Sequence, residues 1–135
     1  GIVGRLWTSS GAIGRQHGFD IQVFGEKAGL KWKSEHPNQL IYSKLGNRTE
    51  IIEKGENNLC ADALRLSRVA IAHPEGFPLA VANIYVDIAA TIKGEKRANL
   101  PTASDGLRSM AAVYSATVSA KNNGKWTDAR PPMFR

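Results

Sequence analysis

"AHPEGFPLAVANIYVDIAATIKG", residues 72–94, decides between a membrane span, a core helix and a helix whose start also shapes a site. Phe77, Val81, Ile84, Tyr85, Ile88 and Ile92 recur at the helical period, which predicts a helix with one apolar stripe. Asn83, Asp87 and Thr91 mark the opposite stripe and predict a wet side. Polar groups at mid-helix argue against a bilayer span. Pro74 suits a first helical turn, where its missing N–H costs nothing, and Glu75 suits the positive helix end. Gly94 is a natural stop.

Upstream the period changes. "FDIQVF" (19–24) places Phe19, Ile21 and Val23 on one face and Asp20 and Gln22 on the other. "GEKAG" (25–29) turns the chain into "LKWK" (30–33), and "EHPNQ" (35–39) turns it into "LIYSKL". "GNRTE" then leads to "IIEK". Strands about ten residues apart, with turn signals between them, predict an antiparallel meander. The opening "GIVGRLWTSS" also reads as strand-like.

Downstream, Thr102 and Asp105 predict a capping box. Leu107, Met110, Ala111, Tyr114 and Val118 make the apolar stripe of a second helix, which "KNNG" (121–124) ends. "KWTDA" predicts a short returning strand. The fold class is therefore α+β: a predominantly antiparallel open sheet with two C-terminal helices packed on one face. Residues 1–135 are read as a single domain.

The net charge of +6 raises nucleic acid as a partner. Residues 1–60 hold eight basic and six acidic groups, and residues 61–135 ten and six, so the excess is dispersed. No basic run interleaved with aromatics occurs, which argues against nucleic acid. A lone cysteine, Cys60, excludes an internal disulfide and points to a reducing compartment, read here as the cytoplasm. His17, His36 and His73 lack metal-ligand spacing. His36 sits in a turn and is assigned to the surface. His17 begins a strand beside a glycine. His73 stands at the expected helix start, where free N–H groups suit oxygen-bearing ligands, although the residues alone favour a simple cap. Trp7, Trp32 and Tyr42 suit a core, a sugar-stacking platform or an interface.

"HPEGFPLAVANIYVDIAATI" and "LPTASDGLRSMAAVYSATVSAKNNGKW" resemble the end of Gfo/Idh/MocA-family oxidoreductases. "GRLWTSSGAIG", "HGFDIQVFGEKAGLKW" and "HPNQLIYSKLG" are similar to that family's strands and turns, in the same order. The resemblance implies a C-terminal domain whose Rossmann domain, with NAD or NADP and the catalytic groups, precedes Gly1. No catalytic, cofactor-binding or metal-binding residue is then expected in residues 1–135, and the chain alone is expected to be inactive. It implies hydride transfer to or from a sugar, cyclitol or related polyol, with this sheet as one wall of the cleft and as a homodimer or homotetramer interface. Carried over by position, His73, Phe77 and His17 are the candidate substrate-binding residues. Phe77 stands where many relatives have tyrosine, and His17 where asparagine is frequent. A non-enzymatic ligand-binding or oligomerisation module with the same sheet and helices is the alternative.

Overall fold

The computed structural model describes residues 2–15, 17–56, 59–95 and 100–131. It divides into two compact units, Gly1–Asn83 and Ile84–Arg135. The first unit holds β1 (Asp20–Phe24), β2 (Ala28–Lys33), β3 (Gln39–Lys44) and β4 (Thr49–Glu53), paired antiparallel in chain order. A short helix α1 (Ala61–Leu66) follows, which periodicity does not announce in six residues. Helix α2 (Phe77–Ile92) begins in the first unit and continues into the second, which also carries α3 (Ala103–Lys121).

The register separates two faces. Ile21 pairs with Trp32 and Val23 with Leu30, while Trp32 pairs with Leu40 and Leu30 with Tyr42. Leu40 in turn pairs with Ile52, so one face is almost wholly apolar. The reverse carries Gln22, Lys31, Ile41 and Ile51 in line, with Phe24 beyond them. Both faces leave apolar groups open: Ile21 and Val23 are about half exposed on one, and Phe24 and Ile51 are exposed on the other.

Helix α3 begins as its residues dictate. The Thr102 hydroxyl accepts from the Asp105 amide, and the Asp105 carboxylate accepts from the Thr102 amide at 2.9 Å.

Four expectations need correction. Helix α2 begins at Phe77, so Pro78, not Pro74, occupies its first turn, and Glu75 lies outside the helix. Its faces are reversed as well: Asp87 and Ala90 are buried, whereas Phe77, Ile84, Tyr85 and Ile92 are exposed. On α3, Leu107, Ala111 and Val118 turn inward with Ser115, but Met110 and Tyr114 are exposed. Neither residues 2–10 of "GIVGRLWTSS" nor "KWTDA" forms a strand, and Gly1 lies outside the described residues. The latter segment is held by side-chain bonds instead: Ser115 Oγ of α3 donates to the Asp128 carbonyl and Thr127 Oγ1 to that of Lys125.

Candidate functional site

A concavity of about 710 Å³ opens in the first unit between the end of the sheet and the start of α2. Phe19 and Trp32 form its aromatic floor, with ring centroids 5.9 Å apart at 76°. Trp32 is held by its indole N–H, which donates to the Pro37 carbonyl at 3.1 Å. Phe77, Leu79 and Ala80 come from the first turns of α2, and His17 from the segment before β1. His17 and Phe77 thus line one cavity.

Polar groups rim the floor. Glu35, in the turn between β2 and β3, accepts from the Gly18 amide at 2.6 Å and from Ser34 Oγ at 3.4 Å. That bond ties the residue after His17 to the neighbouring turn. The Gly18 amide above all holds the Glu35 carboxyl below the usual glutamate range. Asn38, Glu75 and Asn83 complete the rim. Sequence reading gives Asn83 only a place on the wet stripe of the helix and gives Glu35 and Asn38 no role; an acid in a Pro-containing turn carries no periodic signal, and only the register shows which cleft it borders.

His73 lies elsewhere. It borders a second concavity of about 410 Å³ with Asn38, Glu53, Lys54, Ile71, Ala72 and Pro74. Four residues before α2, it is no helix cap; its Nδ1 sits 3.3 Å from the Ile71 carbonyl. His36 is exposed in its turn, as expected.

The loop between α1 and α2 is knotted by polar bonds. Asn83 Nδ2 donates to the Leu66 carbonyl at 2.8 Å, while its Oδ1 accepts from Arg68 Nε. Glu75 Oε1 accepts from the Arg68 and Val69 amides and lies 3.7 Å from Lys54 Nζ. Burial pushes the Glu75 carboxyl up, but the two amides and the Lys54 ammonium outweigh it, and the net direction is down. A group with a depressed folded pKa adds stability above the ordinary glutamate range, which is lost as pH falls through that range and below. Urea unfolding followed from neutral to acid pH is expected to show a slope that Glu75→Gln flattens; an identical slope in the variant would remove Glu75 from that role.

Among the described residues, no group of three His, Cys, Asp or Glu is arranged to hold a metal ion. The four strands are all antiparallel, with no parallel strand leading through a glycine-rich turn into a helix. No helix among the described residues is long and apolar enough to cross a membrane.

An antiparallel meander followed by helices, with an aromatic-floored, polar-rimmed hollow lined by the sheet and the start of α2, defines an α+β domain. The pattern of the oxidoreductase family C-terminal alpha/beta domain, Gfo/Idh/MocA type, matches residues 1–128, and the chain belongs to that family. It is 28% identical over 136 residues to YfiI, an uncharacterized oxidoreductase of Bacillus subtilis (strain 168), covering 95% of this chain and 35% of that protein. An oxidoreductase structure from Sinorhizobium meliloti matches with a TM-score of 0.78 and 33% identity, over 82% of this chain and 32% of that one. An inositol dehydrogenase homolog from Azotobacter vinelandii, complexed with NADH and myo-inositol, matches with a TM-score of 0.61 and 38% identity. That match covers 65% of this chain and 24% of the homolog. The chain thus spans about a third or less of the length of these relatives.

Proposed function

We propose that this chain forms the substrate wall of an NAD(P)-dependent oxidoreductase acting on a sugar, cyclitol or related polyol, with the dinucleotide and catalytic groups supplied by residues before Gly1. The observation that carries this reading is the shared hollow of His17, Phe19, Trp32, Glu35 and Phe77. A polyol presents C–H faces that lie against aromatic rings and hydroxyls that donate to carboxylates or accept from amides and imidazoles. Glu35, Asn38, Asn83 and His17 offer those partners around the Phe19–Trp32 floor. The 38% identity to a homolog that holds myo-inositol supports the substrate class. Phe77 contributes an apolar edge without a hydroxyl, so polar selection falls to His17 and Glu35. His73, in the loop between α1 and α2, borders the second concavity and is assigned a place beside the site. The sheet is assigned the contact between copies.

Expressed together with the coding sequence upstream of Gly1, the protein is expected to reduce NAD⁺ or NADP⁺ with at least one member of a cyclitol and sugar-polyol panel. His17→Ala should then lower kcat/KM at least tenfold, about 1.4 kcal/mol of transition-state stabilisation. The 135-residue chain alone should give no saturable heat with NADH or NADPH. Micromolar binding by the chain, or no polyol-dependent turnover by the longer protein, would sink this reading.

A further inference from the structure

The turn after β4 brings one ammonium ion to a loop that curls around it. The backbone N–H of Lys54 donates to the Asn38 carbonyl at 2.9 Å, so the root of its side chain is fixed to the sheet. Gly55 follows with φ +85°, and a Cβ there would lie 2.5 Å from Ile71 Cγ1, so turn and loop meet where only glycine fits. Lys54 Nζ then donates to the carbonyls of Val69 at 3.2 Å, Ala70 at 3.4 Å and His73 at 2.9 Å. Three carbonyls within five residues converge on one point only in a tight curl. Ala72 accepts a left-handed φ of +69° to make it. Glu75 closes the curl from the other side through the Arg68 and Val69 amides. The Lys54 and Glu75 side chains are 9% and 12% exposed, so loss of either partner strands polar groups away from water.

We infer that Lys54 is a positioning residue: its ammonium sets the curl of residues 68–75 and thereby fixes Glu75, Gly76 and Phe77 as one wall of the larger concavity. Lys54 borders the smaller concavity and not the larger one, so it acts through the loop and touches no ligand there. The inference rests on the polyol-site reading only for its kinetic consequence.

The test compares Lys54→Met, which keeps length and removes charge, with Lys54→Arg and with Lys44→Met on the exposed end of β3. In the 135-residue chain, Lys54→Met is expected to speed amide exchange at Arg68 and Val69 at least tenfold and to shift the Gly76 and Phe77 resonances. The sheet amides should keep their exchange rates, Lys54→Arg should restore most of the protection, and Lys44→Met should change nothing. In the longer protein, Lys54→Met should raise the polyol KM at least tenfold and leave the dinucleotide KM unchanged. Unchanged Arg68 and Val69 exchange overturns the inference. So does faster exchange with an unchanged polyol KM, or an equal loss of protection across the sheet. Absence of polyol turnover in the parent protein defeats the proposed function instead, while exchange and resonances still decide the role of Lys54. Should Lys54→Met fail to fold, Glu75→Gln, which weakens the same curl from its other side, must reproduce the exchange pattern or the inference falls.

Discussion

The 135-residue chain is expected to run as a dimer or larger species, with a mass at least twice its 14.6 kDa, when light scattering is coupled to size exclusion. Both sheet faces carry the reason. Ile21, Val23 and Leu30 lie side by side on one face, and Phe24 and Ile51 stand on the other, all of them exposed. A soluble monomer seldom tolerates a contiguous apolar patch beyond a few hundred Å². Joining two such faces about a two-fold axis removes the patch from both copies at once. Face-to-face burial of the sheet would supply part of the ~1,600 Å² of a standard specific interface. Val23→Lys and Phe24→Lys put a charge on opposite faces, so the one that returns the mass to the monomer identifies the face used. A strictly monomeric mass at high micromolar concentration defeats the prediction.

Replacing Trp32 with alanine is expected to cost about 2–3 kcal/mol, toward the lower end for a buried aromatic because the ring is only half-buried. Three supports vanish together: the edge-to-face contact with Phe19, the bond to the Pro37 carbonyl, and packing against the flanking Ile21 and Leu40. For a domain of this length the melting temperature should fall by roughly 10 °C. Trp32→Phe keeps the ring and loses the bond, so about 1 kcal/mol should be missing. Circular dichroism during urea unfolding reads both variants without relying on tryptophan emission. An alanine variant with an unchanged midpoint would show that the floor of the concavity is not a structural element.

Alternation made the sheet legible. "FDIQVF" and "LKWK" locate β1 and β2 to within two residues, and the pairing of Ile21 with Trp32 follows from the short turn between them. The α3 cap was equally open to reading, because a Thr-x-x-Asp start encodes its own partners. Helix α2 was found, but its start was placed too early and its orientation was misjudged. Its hydropathy stripe assumes that everything needed to cover it belongs to this chain, and the burial of Asp87 and Ala90 shows a different side turned inward. For the site, His17 and Phe77 were legible only through the family likeness. Glu35 and Lys54 were not, since each acts through a distant backbone: Glu35 on Gly18, and Lys54 on Val69, Ala70 and His73. Contacts between residues fifteen or more apart leave no local spacing to read.

The strand order β1-β2-β3-β4 also sets the sequence of events in folding. The turns joining the strands span three, five and four residues, residues 25–27, 34–38 and 45–48, so each ladder closes a short loop. Hairpins of this kind form in about 1–10 μs, and their local pairings keep contact order low. During synthesis at about 5–20 residues per second, the whole meander is complete before α2 has left the ribosome. Lys54 is the last residue but one before that growing tail reaches Glu56, so its ammonium stands on a finished sheet while the loop it grips is still being made. The curl that frames the hollow is thus laid down on a template, strand first and wall afterwards.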